Sequence, residues 1–389
     1  MLIIRYLSLI LFVIAPQVGQ AQLTIRGQVR SGKTEEVLPF ATVFLSNTTK
    51  GTVTNEKGQF TLNNVPPGRF ELIVSYMGFV TLKVPVQTQD QKSYKLLLKP
   101  SDNQLPDVTV KARRRRDPDR AKQLALFTDH FIGLSENAAQ CRLINPEVLS
   151  FNQTTDRLIA TANEPLLIDN KALGYRIKFQ LDQFIYEYDS YQIAYEGNPV
   201  FEAMRPVNAK ESERWAENRK KAYLGSMMHF ARALYRRQVS QEGFAFQRVI
   251  ERRNRNGDLI RTGLPGDTTL TFPSLSNDRQ VVSLPMARYR ALLDTIRSTD
   301  TQPVIAFKNL IQVTYTKEKE PLTFQKARRF SKFGYKIVPQ SSLIRLLKPG
   351  LTVEANGQFW PPQGIRSEGY WSWELVADDL PFDYEPDAQ

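Results

Sequence analysis

Cysteine and histidine are almost missing from this chain: 389 residues hold one cysteine, Cys141, and two histidines, His130 and His229. One cysteine excludes an intramolecular disulfide. Two histidines leave few ligands for zinc. The third residue after His130 is Gly133 and the third after His229 is Arg232, so no His-x-x-Glu metal pair exists. A Gly-x-Ser-x-Gly elbow is absent, no nucleic-acid-binding motif accompanies the basic residues, and no phosphate-cradling loop is expected. Beyond the first residues, no apolar run approaches the roughly 20 residues of a membrane helix.

What is present begins with a leader pattern. Arg5 precedes an apolar run over residues 6–15, then Pro16, and Gly19 and Ala21 supply small side chains before Gln22. This is the layout of a secretory signal over residues 1–21, removed before Gln22. An exported, soluble mature chain is expected, in the periplasm, at the outer membrane or secreted.

Hydrophobic residues make up 41% and charged residues 24%, ordinary for a packed globular protein. The net charge is +12, and much of the excess sits in Lys111, Arg113, Arg114, Arg115 and Arg116. Such a run reads as a solvated linker, here residues 100–119, or as a contact for a polyanion such as anionic lipid or glycan. Nucleic acid is not expected as a partner of an exported chain.

Residues 22–99 alternate apolar and polar side chains in short runs punctuated by glycine and proline turns. Leu23-Thr24-Ile25-Arg26-Gly27-Gln28-Val29-Arg30 is one half-buried strand, and Asn55-Glu56-Lys57-Gly58 is a turn whose glycine suits positive φ. About seven strands at this spacing predict a β-sandwich. The string Gly51-Thr52-Val53-Thr54-Asn55-Glu56-Lys57-Gly58-Gln59-Phe60-Thr61-Leu62 and the later Pro67-Gly68-Arg69-Phe70-Glu71-Leu72-Ile73-Val74-Ser75-Tyr76-Met77-Gly78-Phe79 resemble the carboxypeptidase-like regulatory domain. Leu105-Pro106-Asp107-Val108-Thr109-Val110 is similar to the segment that closes this domain in bacterial outer-membrane receptors. The resemblance implies a transthyretin (prealbumin)-like all-β sandwich leading an exported Gram-negative envelope protein. It implies no catalysis by the sandwich, and the missing metal pair excludes a zinc carboxypeptidase.

Residues 120–389 mix helical and strand patterns and predict an α+β domain. Leu124, Phe127, Phe131 and Leu134 follow Asp117-Pro118 at helical spacing, with Asp at the cap and Pro in the first turn. Residues 173–188 alternate as a strand, with a change of phase near Asp182-Gln183 that predicts a bulge. Asn208 caps one long helix to about Arg237, with Gly225 inside it at a cost of about 1 kcal/mol. Met286, Tyr289, Leu292, Leu293 and Ile296 predict another helix, and Asn356-Gly357 a hairpin turn. The aromatic, acidic tail predicts a helix docked on a sheet. Cys141 is expected on a helix as a buried, unreactive thiol. This half also resembles the distal part of bacterial proteins with the same leading domain, which implies no activity.

The one polar cluster in this half is Arg214, Arg219, Ser226, His229 and Arg232. Ser226 and His229 lie one helical turn apart, a spacing that reads as packing or as nucleophile and base. The expected function is therefore a binding or scaffolding role without catalysis or cofactor, on an envelope protein or glycan. Two alternatives stand beside it: an exported hydrolase acting on peptide or glycan through the distal domain, and attachment to anionic lipid or glycan through the basic run.

Overall fold

A computed structural model describes residues 23–90, 92–101, 119–252, 268–269, 280–285, 289–308, 310–327 and 337–386. The leader and the basic run Lys111–Arg116 lie outside the described residues, as do the Asp117-Pro118 cap and Met286.

The described residues open with seven strands: β1 (Leu23–Ser31), β2 (Thr42–Leu45), β3 (Gly51–Val53), β4 (Gln59–Val65), β5 (Arg69–Ser75), β6 (Leu82–Gln87) and β7 (Ser93–Leu98). They form two facing sheets, ordered β4-β1-β7 and β3-β2-β5-β6. Alternation along each strand puts Ile25, Val29, Val43, Leu45, Phe60, Leu62, Leu72, Val74, Leu96 and Leu98 into one core. The expected β-sandwich is what the sequence builds. Its tightest turn is local chemistry: Asn55 Oδ1 accepts from Lys57 N–H at 3.0 Å and Gln59 N–H at 2.9 Å, while Gly58 sits at φ +67°.

Residues 119–386 carry helices and strands together, and they build two cores. The first lies under a six-stranded sheet: β8 (Cys141–Leu143), β9 (Leu149–Gln153), β10 (Arg157–Ala162), β11 (Leu166–Asn170), β12 (Tyr175–Glu187) and β13 (Ile193–Ala203). β12 pairs with β11 through its first half, with β10 through its second, and with β13 along its other edge. The register slips between Leu181 and Gln183, the bulge read from the change of phase. Helix α1 (Arg120–Phe131) lays Phe127 and Phe131 against Phe184 and Phe179, with ring centroids 5.0 and 4.9 Å apart.

After α2 (Ala209–Tyr223) and α3 (Met227–Tyr235) comes a second six-stranded sheet: β14 (Phe244–Arg252), β15 (Thr268–Thr269), β16 (Gln280–Pro285), β18 (Leu310–Lys319), β19 (Pro339–Leu346) and β22 (Ile365–Gly369). A small sheet joins β17 (Val304–Ile305), β20 (Leu351–Val353) and β21 (Phe359–Trp360), and a short helix, α4 (Leu322–Ala327), follows β18. Gly357, at φ +93°, turns the β20–β21 hairpin where Asn356-Gly357 placed it.

Four local expectations are corrected. The single helix over 208–237 is two, because Gly225 at φ +78° breaks it and its carbonyl accepts from the Trp371 indole N–H at 2.7 Å rather than from a helical amide. The segment around Tyr289–Leu292 is one 3-10 turn. The tail forms only a 3-10 turn at Tyr370–Ser372 and then runs as an irregular strap, whose Val376 and Ala377 amides donate to Phe131 and Ile132 carbonyls at 3.3 and 3.0 Å. Cys141 begins a strand, β8, because Arg142 and Leu143 pair with Asp169 and Ile168 of β11.

Candidate functional site

The polar residues on α2 and α3 divide among separate structural tasks. Arg219 donates to the carbonyls of Leu173 (2.7 Å) and Gly174 (3.3 Å) and lies 4.1 Å over the Tyr175 ring. Trp215 and Asn218 hold the same turn through Lys171 and Ala172 carbonyls, each at 2.9 Å. Gly174, at φ +68°, is pressed against the Trp215 indole where a Cβ would collide. Arg214 points elsewhere, pairing with Glu211 at 3.2 Å beside a shallow surface hollow shared with Asn208 and Glu217.

Ser226 is the N-cap of α3. Its Oγ accepts from the His229 backbone N–H at 3.1 Å, which satisfies one of the open amides of the first turn. The His229 ring nitrogens are bonded to other groups. Nδ1 accepts from Gly225 N–H at 3.1 Å, which assigns the ring proton to Nε2, 2.7 Å from Glu242 Oε2. Burial lowers the imidazole pKa, with Glu242 opposing. Arg236 donates to Glu242 Oε1 at 2.9 Å, and Tyr223, Phe244 and Tyr315 enclose the ring. With both nitrogens engaged, the imidazole has no lone pair left to deprotonate Ser226.

Arg232 is 2% exposed and reaches three backbone carbonyls: Asn356 through Nε at 3.0 Å, Phe382 through Nη2 at 3.1 Å and Tyr384 through Nη1 at 2.9 Å. The five sequence candidates therefore do not converge on one cavity. Sequence reasoning missed the partners because Asn356, Phe382 and Tyr384 contribute main-chain oxygens, which leave no side-chain signature. Glu242 carried no distinguishing spacing either.

Asp378 and Cys141 sit in shielded positions. Asp378 accepts from Ser135 and Asn137 at 3.0 and 2.9 Å, while its Oδ2 is buried without a hydrogen-bond partner. Burial pushes its carboxyl up to about 6. The Cys141 thiol is raised to about 12, by burial first and by Asp378 second, which leaves little thiolate at neutral pH. His130 stacks on Tyr186 at 4.3 Å, with its pKa lowered by burial. Among the described residues, no group of three or more His, Cys, Asp and Glu is placed to hold a metal ion. No helix among them is long and apolar enough to cross a membrane.

One motif escaped the sequence reading. Gly27-Gln28-Val29-Arg30-Ser31-Gly32-Lys33-Thr34 has the glycine and lysine spacing of a phosphate-cradling loop. Its amides are taken: Gly32 N–H donates to the Leu98 carbonyl at 2.7 Å, and those of Lys33 and Thr34 go to Ser31 Oγ at 3.3 and 3.2 Å. Gly27 is a mid-strand residue paired with Phe60 and Tyr94, and β2 follows instead of a helix. The match is coincidental.

No curated protein matches the chain. Residues 25–110 match the CarboxypepD_reg-like domain, a match that spans β1 to β7 and runs on through Leu105-Pro106-Asp107-Val108-Thr109-Val110. The sandwich that opens this chain is thus a CarboxypepD_reg-like domain, a module of the regulatory or binding type.

Proposed function

We propose that the mature protein is an exported bacterial envelope protein that binds or scaffolds another envelope component, protein or glycan, without catalysing a reaction. The observation that carries this reading is the engagement of His229, whose two ring nitrogens are bonded to Gly225 N–H and Glu242. Ser226 caps a helix and Arg232 holds carbonyls, so the polar residues of α2 and α3 act as braces. The leader pattern before Gln22 and the regulatory-type sandwich support the location and the binding role.

The test has two parts. Expressed with its leader, the chain should be cut before Gln22 and recovered from the envelope fraction; an uncut cytoplasmic product overturns the location. Purified residues 22–389 should bind isolated envelope sacculi or outer-membrane protein saturably, unchanged by Ser226→Ala. Hydrolysis of peptide, ester or glycan substrates that disappears in Ser226→Ala or Asp378→Asn would favour the hydrolase instead. Binding to anionic vesicles that falls steeply with salt and with Arg→Ser changes at Arg113–116 would favour attachment through the basic run.

A further inference from the structure

The strap at the end of the chain crosses from the second half to the sandwich as one compact turn. Tyr384 N–H donates to the Pro381 carbonyl at 2.8 Å, so Pro381-Phe382-Asp383-Tyr384 is a β-turn with Phe382 and Asp383 at its tip. One wall of its seat is the sandwich segment after β2. Phe382 N–H donates to the Asn47 carbonyl at 2.7 Å, and Phe382 packs against the sandwich core. Thr49 grips Asp383 twice, by its N–H to Oδ1 at 2.8 Å and by its hydroxyl to Oδ2, and Lys50 lies 3.5 Å from the same carboxylate. The other wall is Arg232, which binds the Phe382 and Tyr384 carbonyls.

Arg232 decides how this contact is read. A guanidinium buried to 2% exposure needs its donors filled, and its nearest carboxylate, Glu385 at 3.5 Å, is 76% exposed and screened. Two of the three carbonyls that fill it belong to the strap. The seat is built to take a backbone turn from one side and a carboxylate from the other.

We propose that the groove between Asn47, Thr49 and Lys50 on the sandwich and Arg232 on α3 is a peptide-binding site for a Pro-aromatic-Asp-Tyr turn, occupied here by the chain's own residues 381–384. This goes beyond the binding role proposed above and does not depend on where the protein resides.

The experiment uses the full chain with a site-specific protease sequence inserted between Asp379 and Leu380. After cutting, the released tail should stay with the body through gel filtration. A fluorescent peptide of residues 380–389 should displace it saturably, and the Asp383→Ala peptide should need at least about tenfold more for half displacement. The uncut chain should bind labelled peptide at least about tenfold more weakly than the cut chain, since its own tail is tethered at high effective concentration. Absence of saturable uptake, uptake indifferent to Asp383→Ala, or equal uptake by cut and uncut chains would each overturn the proposal. Unfolding on cleavage would do so too, because the tail would then be core and not ligand.

Discussion

The sandwich and the region around α3 satisfy their buried polar groups in opposite ways. In the sandwich the partners are near in sequence. Thr54 Oγ1 serves Leu38 and Ala41, at separations of 16 and 13 residues, and Asn55 closes its own turn within 4. Around α3 and the tail, His229 has near partners but several others are remote: Arg232 to Asn356 spans 124 residues, Trp371 to Gly225 spans 146, and Asn170 to Ala377 spans 207. The first arrangement closes these turns inside the sandwich (Leu23 to Leu98), although its segment after β2 also bonds distant residues through Asn47 and Thr49. In the second, Arg232 and the Gly225 carbonyl are satisfied only when distant segments arrive, so that region should respond more sharply to single changes.

The largest contrast should come from paired substitutions of buried polar groups. Arg232→Met strands the carbonyls of Asn356, Phe382 and Tyr384 and should lower stability by about 3–5 kcal/mol, against about 1–3 kcal/mol for Thr54→Val in the sandwich. Denaturant titration of the full chain checks both. Equal losses would erase the distinction.

Two glycines of the same backbone shape sharpen it further. Gly78 has φ +79° and open space around a would-be Cβ, while Gly225 has φ +78° with Tyr315 and Gln340 in the way. Gly78→Ala should cost only the backbone term, about 1–2 kcal/mol. Gly225→Ala should add an overpacking cost of about 1–3 kcal/mol more. Thermal melts read the difference directly.

A further contrast concerns pH. Burial raises the folded pKa of Asp378 from 3.8 to about 6, so folding favours its protonated form. That stabilisation is complete below the unfolded value and lost as pH rises through the folded one. Relative to Asp378→Asn, the unaltered chain should lose about 1–3 kcal/mol between roughly pH 4 and pH 7. Parallel stability profiles for the two chains would remove Asp378 as the cause.

Legibility followed the same division. Gly58, the Asn356-Gly357 hairpin, the Asn208 cap and the slip near Asp182-Gln183 depend on interactions within a few residues, and each was readable. The break at Gly225 was not, because the hydrogen bond that takes its carbonyl comes from Trp371. The tail was read as a helix docked on a sheet, yet its amides donate to the end of α1 and to Asn47. The polar residues read together on α2 and α3 bond to separate segments of the fold. Helical spacing placed Arg219 and Arg232 near one another in sequence, while the break turned them toward different segments.

The sequence by itself determined the sandwich, since alternation, glycine turns and short-range side-chain bonds fix strand faces before any distant segment is present. Only the tertiary structure decided what Ser226, His229, Arg232 and Asp383 do. Their partners are mainly backbone amides and carbonyls, which every residue carries and no residue type announces, so which of them meet depends on how the chain is packed.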